Sequence, residues 1–223
     1  STCTATVTIL DNENPVAVCQ NITVQLNAIG TASIVAADVD GGSTDNCSVS
    51  IAATPLNFTC ADVGANTVVL TATDGSGNMD DCNATVTVED NINPTAICQD
   101  VIVQLDANGN ASIVAADVDN GSTDNCAIAS LAVSPNTFTC ANVGANTVTL
   151  TVTDVNGNVS TCTATVTVED NVPPTAVCQD ITVQLDATGN VSIVAADIDG
   201  GSTDNCAIAS LSATPTDFGC DEV

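Results

Sequence analysis

Three copies of one short pattern carry most of the groups able to do chemistry in this chain. They read "ILDNENPVAVCQN" at residues 9–21, "VEDNINPTAICQD" at 88–100 and "VEDNVPPTAVCQD" at 168–180. Each sets carboxylates and amides ahead of proline, then a cysteine that opens an apolar run. The chain holds 27 Asp and Glu and no Lys, Arg or His, so its formal charge of −27 meets no basic side chain. Carboxylates gathered without a basic partner either keep their protons to higher pH or recruit a cation. Oxygen donors, six to eight of them, are what Ca2+ takes, whereas zinc asks for His or thiolate.

The elements that must position these acids repeat as well. Cys19, Cys98 and Cys178 lie 79 and 80 residues apart, and Cys47, Cys126 and Cys206 keep the same rhythm. The one-residue difference falls between Cys47 and Cys60, 13 apart, against Cys126 and Cys140, 14 apart. An insertion confined to one loop implies a scaffold of fixed geometry. Within a unit, Ile22, Val24 and Leu26 alternate with polar residues as a first strand,. Residues 32–38 read as a second, more buried strand, followed by a Gly- and Asp-rich loop to Cys47,. Residues 48–60 read as a hairpin turning near Pro55. Val68, Leu70 and Ala72 face inward from the next strand, Asp74–Asn78 turns tightly, and Ala84, Val86 and Val88 face inward from the last.

About seven short strands in roughly 80 residues predict an all-β fold of tandem immunoglobulin-like sandwiches in a linear array. The expected divisions are 1–10, the last strand of a preceding unit; 11–90 and 91–170, two units; and 171–223, a third unit whose last strands are lacking.

The core is poor in bulk, with Phe58, Phe138 and Phe218 the only aromatic residues. A unit this small gains from disulfides, and 12 Cys without His or a zinc-type pair point to an oxidising compartment,. The expected bonds are Cys19–Cys82, tying first strand to last, and Cys47–Cys60, closing the mouth of the hairpin. Their equivalents are Cys98–Cys162, Cys126–Cys140 and Cys206–Cys220, and Cys3 and Cys178 are left without mates in this window.

In a seven-strand sandwich the loops after the second and sixth strands share a pole with the incoming linker. The middle unit then brings Glu89, Asp90 and Asn91 to Asp117, Asp119 and Asp154. The third brings Glu169, Asp170 and Asn171 to Asp197 and Asp199, and the first brings Asp11 and Glu13 to Asp38, Asp40 and Asp74. The competing account is that Asp, Asn and Gly make turns and keep the surface soluble. Asp45, Asp124 and Asp204, in "TDNC", stand between the two accounts, as Asx-type turns or as further ligands.

The acidic linker, the Asp45-Asn46, Asp124-Asn125 and Asp204-Asn205 loops, "VGANTVVLTATDGSGN" at 63–78, "VGANTVTLTVTDVNGN" at 143–158 and the Cys of the closing strand resemble the hyalin-repeat (HYR) family of immunoglobulin-like modules. The resemblance spans essentially the whole chain. It implies an extracellular structural or adhesive role, as in large secreted surface proteins and bacterial adhesins, and names no ligand. The additional pair Cys47 and Cys60 departs from the simplest family pattern of one bond.

Composition excludes other classes. Without Lys or Arg the chain repels nucleic acid and anionic membrane surfaces. Without His, Ser/His and Cys/His catalysis is ruled out, and a glycosidase built on paired carboxylates would lack Trp or Tyr to platform a sugar, so no enzyme is expected,. Thr147, Thr149, Thr151 and Thr153 share one strand face and define an alternative, a carbohydrate- or ice-binding face, against the plainer fact that β-branched residues suit strands,. Sequons at Asn21, Asn46, Asn57, Asn83, Asn110, Asn120, Asn158 and Asn190 admit covalent glycans,. The expected partners are neighbouring units of the same chain and, through exposed edge strands, other copies in a filament. Together these features predict a secreted or surface-attached fibre, stalk or adhesin, stiffened by disulfides within units and calcium at unit junctions.

Overall fold

The computed structural model describes all of residues 1–223. Strand takes 43% of them and helix 9%, and no helix exceeds four residues, so the chain is all-β. The first repeat supplies β1 (Ile22–Gln25), β2 (Thr31–Ser33), the helical turn α1 (Ala36–Val39), β3 (Val49–Thr54), β4 (Asn57–Thr59), β5 (Gly64–Asp74) and β6 (Met79–Glu89). One sheet runs β1-β6-β5-β3, and β2 pairs with β4 in a second.

Period-two alternation sets the core. Along β5, Val68, Leu70 and Ala72 are buried, and along β6, Ala84, Val86 and Val88. These two strands pair antiparallel from Gly64↔Val88 to Thr73↔Met79 around the Asp74–Asn78 turn. Leu26, Ile34, Val39 and Phe58 join this cluster, with Cys19, Cys60, Cys82 and Cys126 packed against its rim. The second repeat repeats the pattern with β7 (Val101–Gln104), β8 (Asn110–Ser112), α2 (Ala115–Val118), β9 (Ile128–Ser134), β10 (Thr137–Thr139), β11 (Gly144–Asp154) and β12 (Val159–Glu169). Its four-stranded sheet is ordered β7-β12-β11-β9, and β8 pairs with β10. In the third repeat only β13 (Asn190–Ser192) and β14 (Asp217–Gly219) form, as an antiparallel pair.

Several expectations change here. Residues 1–10 form no strand and are exposed throughout, because no sheet in this chain offers them a partner. The second strand stops at Ser33, and Ala36–Val39 turns helically, with the Val35 N–H donating to Asp38 Oδ2 at 2.8 Å. The segment around Pro55 is not a hairpin: β3 pairs with β5 and β4 with β2, so the chain changes sheet at that proline.

That change of sheet re-pairs the cysteines. Cys19 bonds Cys82 and Cys98 bonds Cys162. Cys60 bonds Cys126, not Cys47, and Cys140 bonds Cys206, so Cys126–Cys140, Cys47–Cys60 and Cys206–Cys220 do not form. With β3 and β4 in different sheets there is no hairpin mouth to close. Each such bond instead runs from the end of one repeat's fourth strand to the loop after the next repeat's helical turn. In this pattern Cys47 and Cys220 find no mate within these residues and are free thiols, as are Cys3 and Cys178.

The compact units cut across the repeats. One comprises Ser1–Thr95, Ser122–Ser130 and Val152–Ser160, and the other Ala96–Gly121, Leu131–Thr151 and Thr161–Val223. Thus the linker at Asp90, the loop at Asp124 and the turn after β11 belong to one compact body.

Candidate metal centre

Three carboxylates converge in the compact body that contains Ser1–Thr95. Asp90 follows β6, Asp124 lies in the loop after α2, and Asp154 ends β11. Ligand oxygens from all three lie within 4.8 Å of one another. Asp90 is 5% exposed and Asp154 2%. No basic side chain stands near them, since the chain has none.

Each carboxylate is held by its own turn. Asp124 Oδ2 accepts from the N–H groups of Cys126, at 2.9 Å, and Ala127, at 3.1 Å. Asp154 Oδ1 accepts from the N–H groups of Asn156 and Asn158, and its Oδ2 from the Asn158 side-chain amide at 2.7 Å. Burial pushes the Asp154 carboxyl up, but the bonds from the Asn158 side chain and the backbone of Asn158, Asn156 and Gly157 prevail and hold it below the ordinary carboxylate value. The same Asn158 amide donates to the Asp90 carbonyl at 3.0 Å, tying the linker to the turn. Asp90 Oδ1 accepts from the Ile92 N–H at 3.2 Å and the Asn125 side-chain amide at 3.1 Å.

What these turns leave over is the chemistry. Asp90 Oδ2, Asp124 Oδ1 and Asn125 Oδ1 are buried and have no hydrogen-bond partner. A buried acceptor without a donor costs about 1–3 kcal/mol, and more when charged. The carboxylates of Asp90, Asp124 and Asp154 together form a hard, anionic, oxygen-only donor set, which suits a divalent cation such as Ca2+,.

The other expected ligands lie elsewhere. Glu89 Oε2 accepts from the Gln25 side chain at 2.7 Å, and Asn91 donates to Gln25 and Glu89, an amide–carboxylate ladder beside the β1–β6 pair. Glu169, Asn171 and Gln104 repeat it. Asp38, Asp117 and Asp197 each accept the N–H three residues back, at Val35, Val114 and Val194. Asp40 Oδ1 accepts from the Ser43 N–H and hydroxyl, and Asp199 Oδ1 from those of Ser202, while Asp119 bridges to Cys98. Asp38, Asp40, Asp117, Asp197 and Asp199 hold local turns because the helical turn replaces the end of the expected second strand.

The equivalent positions in the other repeats are partial. Asp11 meets Asp45 and the Cys47 thiol, and Asn78 donates to the carbonyls of Asp11 and Glu13 as well as to Asp74. A hydrogen bond to Asp11 and the charges of Asp11, Asp45 and Asp74 push the Cys47 thiol up. In the second unit Asp170 Oδ1 accepts from the Asn205 side chain at 3.0 Å, and Asp204 Oδ1 and Asn205 Oδ1 are again buried without partners. Asp124, which the sequence leaves between turn and ligand, stands in this cluster, and Asn125 is joined to Asp90 beside it. An Asx turn uses only one carboxylate oxygen, so "TDNC" is able to make the turn and still present an acid and an amide.

No protein-family model and no curated protein matches this chain. Among solved structures it is similar to Drosophila N-cadherin EC1-4, with TM-score 0.38 and 13% identity over 70% of this chain and 50% of that one. It is also similar to human mucin-like protocadherin EC1-2, with TM-score 0.37 and 14% identity over 68% and 96% of the two chains. A three-domain immunoglobulin segment of titin, the I67–I69 E-to-A variant, gives TM-score 0.35 and 11% identity over 80% and 73%. The chain spans half the length of the N-cadherin structure. The fold class, an all-β chain of immunoglobulin-like sandwich repeats, rests on the strand pairing described above. No helix is long and apolar enough to cross a membrane.

Proposed function

We propose that this chain is a structural repeat region of an extracellular fibre, stalk or adhesin whose junctions are fastened by disulfides and calcium. The observation that carries the reading is the buried Asp90, whose Oδ2 has no partner and whose carboxylate lies beside two others in a chain without one basic side chain. Disulfides running from one repeat to the next, Cys60–Cys126 and Cys140–Cys206, belong to an oxidising compartment,. Calcium at Asp90, Asp124 and Asp154 draws the linker onto the loops that follow it, with proline limiting linker motion. The reading assigns the chain no catalysis. Its partners are its own neighbouring repeats, other copies in a filament, and glycans on exposed sequons such as Asn57, Asn83 and Asn120.

Small-angle scattering and calcium calorimetry on the 223-residue chain test this. Calcium is expected to bind with a Kd of about 10⁻⁴ to 10⁻³ M, as in other extracellular modules, and EDTA is expected to loosen the chain. No calcium heat and an unchanged scattering curve after chelation would count against the proposal.

A further inference from the structure

The loop that carries Asp124 and Asn125 is held from behind. Cys126 is bonded to Cys60, and Cys60 Sγ lies 3.6 Å from the Asn125 carbonyl oxygen. Gly30, at φ +72°, makes the close approach: a Cβ there would stand 2.6 Å from Cys60 Sγ and 2.7 Å from Asn125 O. The second unit repeats the device, with Cys140 Sγ 3.5 Å from Asn205 O and a Gly109 Cβ 2.6 Å from that sulfur. The same loop sets the Asp124 carboxylate, one oxygen of which has no partner, beside Asp90 and Asp154, and its Asn125 amide donates to Asp90.

We propose that the Cys60–Cys126 bond is a positioning element of the cation site, so that calcium affinity follows the redox state of this one pair. The inference rests on the calcium reading above. Three carboxylates without a cation repel one another, and the free loop would relieve that by swinging Asp124 away. The covalent bond forbids the swing, so the repulsion is left for a cation to relieve. Preorganisation of this kind raises affinity by lowering the ordering cost of binding. Groups that orient metal ligands from behind typically change affinity by about 10–100-fold. Linkage is reciprocal: calcium must protect the bond from reduction by the same factor.

The test uses the whole chain. Calcium affinity is measured by calorimetry for the oxidised protein, for Cys60→Ser/Cys126→Ser, and for Cys19→Ser/Cys82→Ser. The last removes a bond of nearly equal sequence separation, 63 against 66, from the same compact unit. The first variant is expected to bind at least about tenfold more weakly, and the control to stay within about twofold, as independent sites do. A purely structural bond would lower the thermal midpoint in both variants and leave affinity alone.

A second readout covers failure of the variant to fold. The oxidised protein is equilibrated with reduced and oxidised dithiothreitol, in calcium and in EDTA. Two electrons and two protons pass from the reduced reagent to Cys60–Cys126, giving two thiols while the reagent closes to its cyclic disulfide. Alkylation, peptic digestion and mass spectrometry then read each pair; trypsin has no site. A tenfold coupling lowers the Cys60–Cys126 midpoint potential by about 30 mV in calcium, with Cys19–Cys82 unmoved. Equal midpoints, or equal calcium affinity with and without the bond, overturn the inference and leave the calcium site standing. Oxidised protein that binds no calcium overturns both.

Discussion

Single carboxylates in this chain divide into those that close a turn and those that close a turn with an oxygen to spare. Asp90 belongs to the second kind, and substituting it separates calcium binding from mere solubility. Without calcium, Asp90→Asn removes a charge repelled by Asp124 and Asp154, worth about 1 kcal/mol for a pair at about 4 Å even at the dielectric of water. The variant is therefore expected to unfold at higher temperature than the parent in EDTA and at lower temperature in millimolar calcium. An equal midpoint in both buffers would mean that the cluster is a solvated turn. Asp40 and Asp199 belong to the first kind. Hydroxyl and N–H bonds from Ser43 and Ser202 outweigh a small desolvation cost and lower both carboxyls below the ordinary value. A depressed folded pKa gives stability that is present above the ordinary carboxylate value and is lost as pH falls through the folded one. Chemical unfolding followed from pH 6 to pH 2 should show this loss, and Ser43→Ala with Ser202→Ala should blunt it. The same serine variants should leave calcium affinity unchanged.

At the level of elements, identical sequence does different things according to its neighbours. "ITVQ" forms β1 at Ile22–Gln25, where β6 lies parallel to it, yet residues 181–184 carry the same letters and form no strand. The propensity of Ile, Thr and Val is permissive, and the partner strand decides. This is why the sandwich was legible in the sequence while some of its connections were not. Alternation names the buried faces of β5 and β6 residue by residue, because period two is a local property. The apolar run at Ile34, Val35, Ala36 and Ala37 has no period to separate strand from turn, and the structure makes it turn. Nothing local says that β3 and β4 part at Pro55, so sequence proximity points Cys60 to the near Cys47, whereas the fold joins it to the distant Cys126. The grouping of the carboxylates follows the same rule. That Asp90 and Asp154 come together is legible from the linker and the β11 turn, but placing Asp117 and Asp119 beside them needs a second strand longer than the one that ends at Ser112. Close approach between elements supplies a further prediction. Gly30→Ala forces a positive φ on an L-residue and drives its Cβ into Cys60 Sγ and Asn125 O. The strain costs about 1–3 kcal/mol. Urea unfolding should show that loss, whereas Gly42→Ala, with positive φ and nothing near its Cβ, should lose only the backbone part.

For the whole molecule, 27 acidic groups without a base make charge the term that conditions everything else. Self-repulsion of that size opposes compact structure and weakens with screening, the Debye length falling from about 10 Å at 0.1 M salt to about 3 Å at 1 M. Raising sodium chloride in EDTA is therefore expected to raise the unfolding midpoint smoothly. Calcium held at the proposed site would do something different in kind. A specific site stabilises the folded chain by RT ln(1 + [L]/Kd), so 10 mM calcium against a Kd of about 10⁻⁴ to 10⁻³ M adds about 1.4–2.7 kcal/mol. Diffuse screening by 10 mM of any divalent salt at a background of 0.5 M sodium chloride adds almost nothing. Magnesium, smaller and reluctant to shed water, fits a site of fixed protein oxygens poorly. Unfolding at constant ionic strength, with calcium exchanged for magnesium, separates the two contributions. A calcium-specific rise that disappears with Asp124→Asn assigns it to the Asp90 cluster, and an equal rise with both ions assigns it to the net charge alone.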